Sequence, residues 1–362
     1  MYRLPDPILK LLLAGILLVL SAHAGILRAQ GTSPGAREPV FHVYSTLIQI
    51  PVLVLNEHHQ PLPEKTPLQF AVSIDSGPEF PVKYARIEGN DPIALSILLD
   101  MSGDQKSILA QLATAVAALA PQGLRGTDRV SIYAVDCHLV QTASTMWPDA
   151  AHLKIAMERA LGSTTVHGTG KTHAACGKSL NLRNALMYLV SELSKQSGRR
   201  VILAITDGHD NGSKHSWKEV KEYANNQGVA IFGLTGLPYD STQLNINLPP
   251  YRGYEDEFNT LCELSGGLLR TTPAATASQS LKTFISLVRN RYIVEFPRPD
   301  SLESGMHSFD VTVQNAKEQY FVRSSGISLP IADRALLADP NAAPSDPTKA
   351  PVPGNRRMLQ PK

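Results

Sequence analysis

The sequence predicts an α/β fold: a doubly wound, mostly parallel sheet, accompanied by a small antiparallel β-unit built from strands near the two ends of the chain. Residues 93–100 (IALSILLD) and 201–207 (VILAITD) are short, solidly apolar runs, which is how strands buried on both faces read. Between residues 93 and 290 such runs alternate with segments that carry apolar residues at helical spacing. That alternation is the pattern of parallel strands joined by crossover helices. At 362 residues and 43% apolar composition, the chain is long enough for two packed units with a real core.

Taken in order, residues 1–24 carry Arg3 and Lys10, then LLLAGILLVL, then Ser-Ala-His-Ala. A charged start, an apolar stretch too short to cross a core of ~30 Å comfortably and a small-residue ending make a secretory signal peptide. Cleavage is expected after Ala24, or as late as Gln30, and an uncleaved anchor is the alternative. The expected product is exported (periplasmic, cell-surface or secreted) and has no transmembrane span once the signal is removed.

Residues 38–90 read as strands: LIQIPVLVL, LQFAVSID and FPVKYARIE are apolar or partly alternating and are separated by polar and Pro/Gly turns. They are expected to form antiparallel hairpins. Too few to stand alone, they should pair with residues 291–296 and 307–313, so that a segment over 291–330 completes the β-unit. Within the central region, residues 91–290, Ile108, Leu112, Val116 and Leu119 form one helical stripe. Leu182, Leu186, Leu189 and Leu193 form a second, and Leu281, Phe284, Ile285 and Val288 a third. Further helices are expected over 150–161, 217–226 and 258–264, strands over 128–136 and 229–234, and an antiparallel edge strand over 138–144. Residues 338–362 are Pro-rich and nearly devoid of large apolar side chains, so a disordered tail is expected there.

Both central strands end in acids and small polar residues: Asp100, Met101, Ser102, Gly103, Asp104 after the first, and Asp207, Gly208, His209, Asp210 at the second. In open α/β sheets ligands bind outside the carboxyl ends of the strands, so these acids could share one pocket. Together the two stretches resemble the von Willebrand factor type A domain and its metal-ion-dependent adhesion site, in a bacterial exported subfamily. The pattern there is D-x-S-x-S, a Thr on a later loop, and an Asp after the fourth strand. Asp100 and Ser102 fit the first element and Asp207 the last, while Asp104 stands where the second Ser is expected and only Ser179 supplies a hydroxyl near the Thr position.

The resemblance implies a divalent cation, Mg²⁺ or else Ca²⁺ or Mn²⁺, held by Asp100, Ser102, Asp104, Asp207 and Ser179, and a non-enzymatic role in binding another protein. A hard cation of this kind takes oxygen ligands and keeps a position for a partner group. With Asp104 present, three carboxylates outweigh the ion by one charge. An acidic partner at ~4 Å then meets repulsion of order 1 to 4 kcal/mol. Two other readings remain open at this point: a metal-dependent hydrolase built on Asp100, Asp104 and Asp207, and a structural envelope protein whose metal site is inactive.

Other classes are excluded by pattern. A net charge of +2 with Lys and Arg scattered argues against nucleic acid. GTGKT at 168–172 and CGKS at 176–179 end like phosphate-binding loops, but Thr165 and Thr172 occupy the first glycine position and a helix, not a strand, precedes them; no nucleotide is expected. The histidines form no zinc pattern, and no G-x-S-x-G nucleophile motif occurs. Of three cysteines, Cys262 sits on a helical apolar face with Phe258 and Leu261, whereas Cys137 and Cys176 fall at the ligand end of the sheet. In an exported chain a Cys137–Cys176 bridge is expected, closing a loop of about forty residues; free thiols or an intermolecular bond through Cys137 are the alternatives.

Overall fold

The computed structural model describes residues 47–329 apart from 59, 61, 64–67, 102–105, 121, 137, 164–180, 211, 237–256, 300–301, 316–317 and 326. Residues 1–24, expected as a signal peptide, the Pro-rich segment 338–362, the GTGKT and CGKS segments, Cys137 and Cys176 lie outside the described residues. The chain runs β1 (Leu47–Leu55), β2 (Gln69–Ile74), β3 (Phe80–Pro81), β4 (Tyr84–Ile87), β5 (Ile93–Asp100), α1 (Lys106–Ala117), β6 (Arg129–Val135), β7 (Leu139–Met146) and α2 (Ala150–Gly162). It continues through α3 (Leu182–Ser194), β8 (Arg199–Ile205), α4 (Trp217–Asn226), β9 (Val229–Gly236), α5 (Glu257–Leu264), β10 (Leu269–Thr272) and α6 (Ala277–Arg289). The closing strands are β11 (Tyr292–Pro297), β12 (Gly305–His307), β13 (Phe309–Gln314), β14 (Phe321–Ser324) and β15 (Ile327–Leu329).

Six strands form the main sheet in the order β10-β9-β8-β5-β6-β7. Every pairing in it is parallel except β6 with β7, where the polar β7 makes an antiparallel edge. All eight residues of β5 are buried, because helices cover both faces. On one face Ile93, Leu95, Ile97 and Leu99 pack with the apolar stripes of α1, α2 and α6; on the other Ala94 and Leu98 pack with α3, α4 and α5. The stripe residues Ile108, Leu112, Val116, Leu186, Leu189 and Leu281 are fully buried, and at roughly 2 kcal/mol per side chain this burial is what holds the layers together. Strand order reverses at β5: the chain leaves to β6 on one side and returns to β8 on the other, so the crevice at their carboxyl ends is the topological switch point.

The flanking strands build two antiparallel sheets, β14-β1-β11-β4 and β13-β2-β3. β1 pairs β11 and β13 pairs β2, joining the two ends of the chain. One core fills the space between the sheets, with Ile50, Val52, Phe70, Val72, Tyr292 and Phe296 at its centre. Phe70 meets Tyr292 and Phe80 meets Phe296, each at 5.2 Å between ring centroids. The expected run of hairpins needs correction: β2 and β3 pair directly, but β1 lies in the other sheet, and β4 pairs β11. The reason is that β1 is buried on both faces. Val52 and Val54 face the β-unit core, while Leu53 and Leu55 join the core under α1 and α6.

A buried ion-pair network stitches this junction. Arg291, only 2% exposed, donates Nε and Nη2 to Glu88 at 2.8 and 2.9 Å. Arg289 pairs with Asp128, whose other oxygen accepts the Ile93 amide at 2.9 Å. Charges this deep persist because each is matched.

Candidate functional site

β5 and β8 are adjacent and parallel, with Leu99 opposite Ile205, so their next residues, Asp100 and Thr206, emerge side by side. Asp100 is buried, and its Oδ2 accepts a hydrogen bond of 2.6 Å from Thr206 Oγ1. The Thr206 hydroxyl in turn accepts the Gly208 amide at 3.0 Å. Gly208 has φ +84, and a Cβ there would come within 2.9 Å of Phe258, so the turn needs glycine. The tightness of that turn sends Asp207 outward. Its Oδ1 accepts the His209 amide at 2.9 Å, and the His209 Nδ1 lies 3.3 Å away on an exposed ring.

Of the expected ligands, Asp100 and Asp207 are thus delivered to one end of the sheet, while Ser102, Asp104 and Ser179 lie outside the described residues. No cluster of three or more His, Cys, Asp or Glu occurs among the described residues. The donor set present, two carboxylates and a threonine hydroxyl, is hard oxygen and fits a cation such as Mg²⁺ better than a soft metal. A buried carboxylate at a strand end also calls for positive charge or donors, and Thr206 supplies one donor.

Thr206 was not among the expected site residues, nor was the latch beside it. Asp210 has a fully buried side chain. Its Oδ2 accepts the Arg183 amide at 2.6 Å and Ser213 Oγ at 2.5 Å; its Oδ1 accepts the Gly212 and Ser213 amides at 3.1 and 3.0 Å and Arg183 Nη2 at 3.2 Å. Ser213 Oγ accepts the Asn184 amide at 3.0 Å, and Asn184 Oδ1 accepts the Lys214 amide at 3.1 Å. Asn181, the residue before α3, makes no side-chain cap of its own. The loop after Asp207 therefore caps α3 from outside, satisfying the amides that open every helix. Burial pushes the Asp210 pKa up, but the hydrogen bonds from Arg183 and Ser213 outweigh it and hold the carboxyl below its ordinary value. The signal available in the sequence was D-N-G-S over 210–213, a turn composition.

A cleft of about 480 Å³ adjoins this end of the sheet, lined among others by Tyr133, Val135, His138, Leu139, Asn184 and Tyr188. Val135 is the register partner of Asp100, and its carbonyl accepts the Met101 amide at 2.8 Å. Tyr133 and Tyr188 pack edge to face at 6.2 Å, and Gln141 Nε2 donates to the Tyr133 hydroxyl at 2.9 Å. Burial, with Tyr188 and Glu192 nearby, pushes the Tyr133 phenol up to about 12, so it stays a neutral donor. Among the described residues, no Asp, Glu, Lys or Arg lines the cleft.

No protein-family model matches the sequence, and no curated protein matches it. Among solved structures, proximal thread matrix protein 1 from the mussel byssus, with a zinc-occupied MIDAS motif, is similar at 14% identity and a TM-score of 0.39, over 56% of this chain and 49% of that one. The TFIIH p34 N-terminal domain is similar at 14% identity and a TM-score of 0.39, over 52% of this chain and 96% of that one. BatB from Bacteroides thetaiotaomicron is similar at 15% identity and a TM-score of 0.36, over 54% of this chain and 97% of its own. The chain thus spans about half the length of the mussel protein. The architecture itself rests on the strand order and the helix placement.

Proposed function

We propose that this is an exported, non-enzymatic von Willebrand A-type protein that contacts another protein through a divalent cation at the switch point between β5 and β8. The cation is Mg²⁺, or else Ca²⁺ or Mn²⁺, and its ligands are Asp100, Ser102, Asp104 and Asp207, with Ser179 contributing a hydroxyl. The observation that supports the reading is the hydrogen bond from Thr206 to Asp100 at the adjacent carboxyl ends of β8 and β5, one residue before Asp207. When bound, the ion would supply a fixed positive charge and an open coordination position. The chain's own residues do the rest: Thr206 orients Asp100, Gly208 turns the backbone so that Asp207 faces out, and the Asp210 latch joins that loop to α3.

The charge count favours a partner that donates a neutral oxygen, such as a carboxamide or carbonyl, over one that donates a carboxylate. The uncharged, tyrosine-lined cleft next to Val135 supplies contact area of the kind protein interfaces use. Export rests on the leader, and among the described residues no helix is long and apolar enough to cross a membrane. Thermal unfolding in EDTA against Mg²⁺, Ca²⁺ and Mn²⁺ tests the reading. At a hundred times its dissociation constant the ion should stabilise by about 2.7 kcal/mol. Identical melting curves under all conditions would reject the cation.

A further inference from the structure

At the opposite end of the sheet, where β1 and β11 meet the start of β8, lies a cavity of about 250 Å³ lined by Arg199, Arg200 and Arg291 with Gln49, Asn226 and Ser325 among others. No Asp or Glu is among its described lining residues. Each guanidinium is held from behind. Arg291 gives Nε and Nη2 to Glu88. Arg199 Nη2 reaches Gln49 Oε1 and Asp91 Oδ2, both at 3.3 Å, and its Nε lies 3.7 Å from Glu88. Arg200 donates Nε to the Gln196 carbonyl at 3.1 Å and Nη1 to the Gln227 carbonyl at 2.8 Å, at the carboxyl ends of α3 and α4.

These contacts account for two nitrogens of each side chain and leave the third: Nη1 of Arg199, Nη2 of Arg200 and Nη1 of Arg291 have no hydrogen-bond partner among the described residues. Arg86 shares Asp91 with Arg199, at 2.8 Å, and also reaches Glu295 at 3.3 Å, so Glu88, Asp91 and Glu295 balance three of the four guanidinium charges of Arg86, Arg199, Arg200 and Arg291. One positive charge is left over. Helix capping and ion pairing explain why the arginines are fixed, but they leave a donor unused on each of three arginines that line one open space. Burial also holds the Arg200 pKa below its ordinary value, a cost that an anion would offset.

We propose that this cavity binds a small phosphate-bearing anion, either inorganic phosphate or a phosphate monoester. A planar carboxylate is satisfied by a single guanidinium fork, whereas donors from three separate arginines suit a tetrahedral group with several oxygens. The site is independent of the cation proposal, since β8 separates Arg200 from Asp207 by roughly 20 Å of strand. Isothermal titration of the full chain with orthophosphate and with glycerol 3-phosphate, in chloride buffer of matched ionic strength, tests it. Saturable binding of either ligand is expected, and the tighter one identifies whether free ion or monoester is the natural form. Asn226→Asp places a carboxylate in the lining without removing an arginine, and it should weaken binding by about tenfold or more while the melting temperature holds. Arg200→Gln should weaken it as well. No saturable heat with either ligand, or an Asn226→Asp protein that binds as the parent does, would overturn the proposal.

Discussion

Replacing Asp210 by Ala removes the acceptor that joins the loop after Asp207 to the start of α3. The Arg183 amide, the Gly212 and Ser213 amides, Ser213 Oγ and Arg183 Nη2 all lose their partner at once. Loss of a helix cap costs about 1 kcal/mol, and leaving a mostly buried arginine without its carboxylate adds about 2 more, for a total of about 3 kcal/mol. In a chain of this size that lowers Tm by roughly 4 to 5 °C. The effect is pH-dependent with a definite sign. Because the folded carboxyl titrates below its ordinary 3.8, its contribution is fully present above that pH and is lost as pH falls through the lower folded value. Thermal unfolding of parent and Asp210→Ala proteins from pH 7 down to pH 2 should show a gap that narrows only below about pH 4. An Asp210→Ala protein melting within a degree or so of the parent at pH 7 would refute the latch.

Glu88→Ala strands the buried Arg291 guanidinium and should cost about 3 to 5 kcal/mol by chemical denaturation, whereas replacing both residues by Met should recover most of it; equal stability of the single variant and the parent would contradict the buried pair. Asp104→Ser removes one negative charge from the proposed cation site. It should strengthen capture of an acidic peptide at low salt and saturating Mg²⁺, and unchanged capture would show that charge does not govern partner choice.

How far the chain could be read in advance depends on whether the information was local. β5 and β8 were legible because burial on both faces leaves a nearly continuous apolar run, and each run stops at an acid, the buried Asp100 and the half-buried Asp207. The stripes of α1, α3 and α6 were legible for the same reason at helical period. β10, over Leu269–Thr272, escaped notice: it is a four-residue edge strand with three polar residues. The pairing of β1 with the segment near 291–296 was anticipated and is found at 292–297. The misplaced hairpins came from the division into two sheets: β1 also takes the 321–324 strand and leaves β2 to the other sheet, and apolar alternation does not say which sheet a strand joins. Thr206 was hidden likewise, since its role is set by Asp100, 106 positions earlier. Asp210 read as one polar residue in a turn, and only the approach of α3 makes it a cap.

The central claim is that Asp100 and Asp207 hold one divalent ion between them. Titration of the protein with Mn²⁺, followed by the loss of the free-ion paramagnetic resonance signal, measures this directly. The parent should take up one ion per chain, competed by Mg²⁺, while Asp207→Ala and Asp100→Asn should each weaken uptake by about a hundredfold or more as single-ligand losses. Retention of parent affinity in Asp207→Ala, or no specific uptake by the parent, would contradict the account.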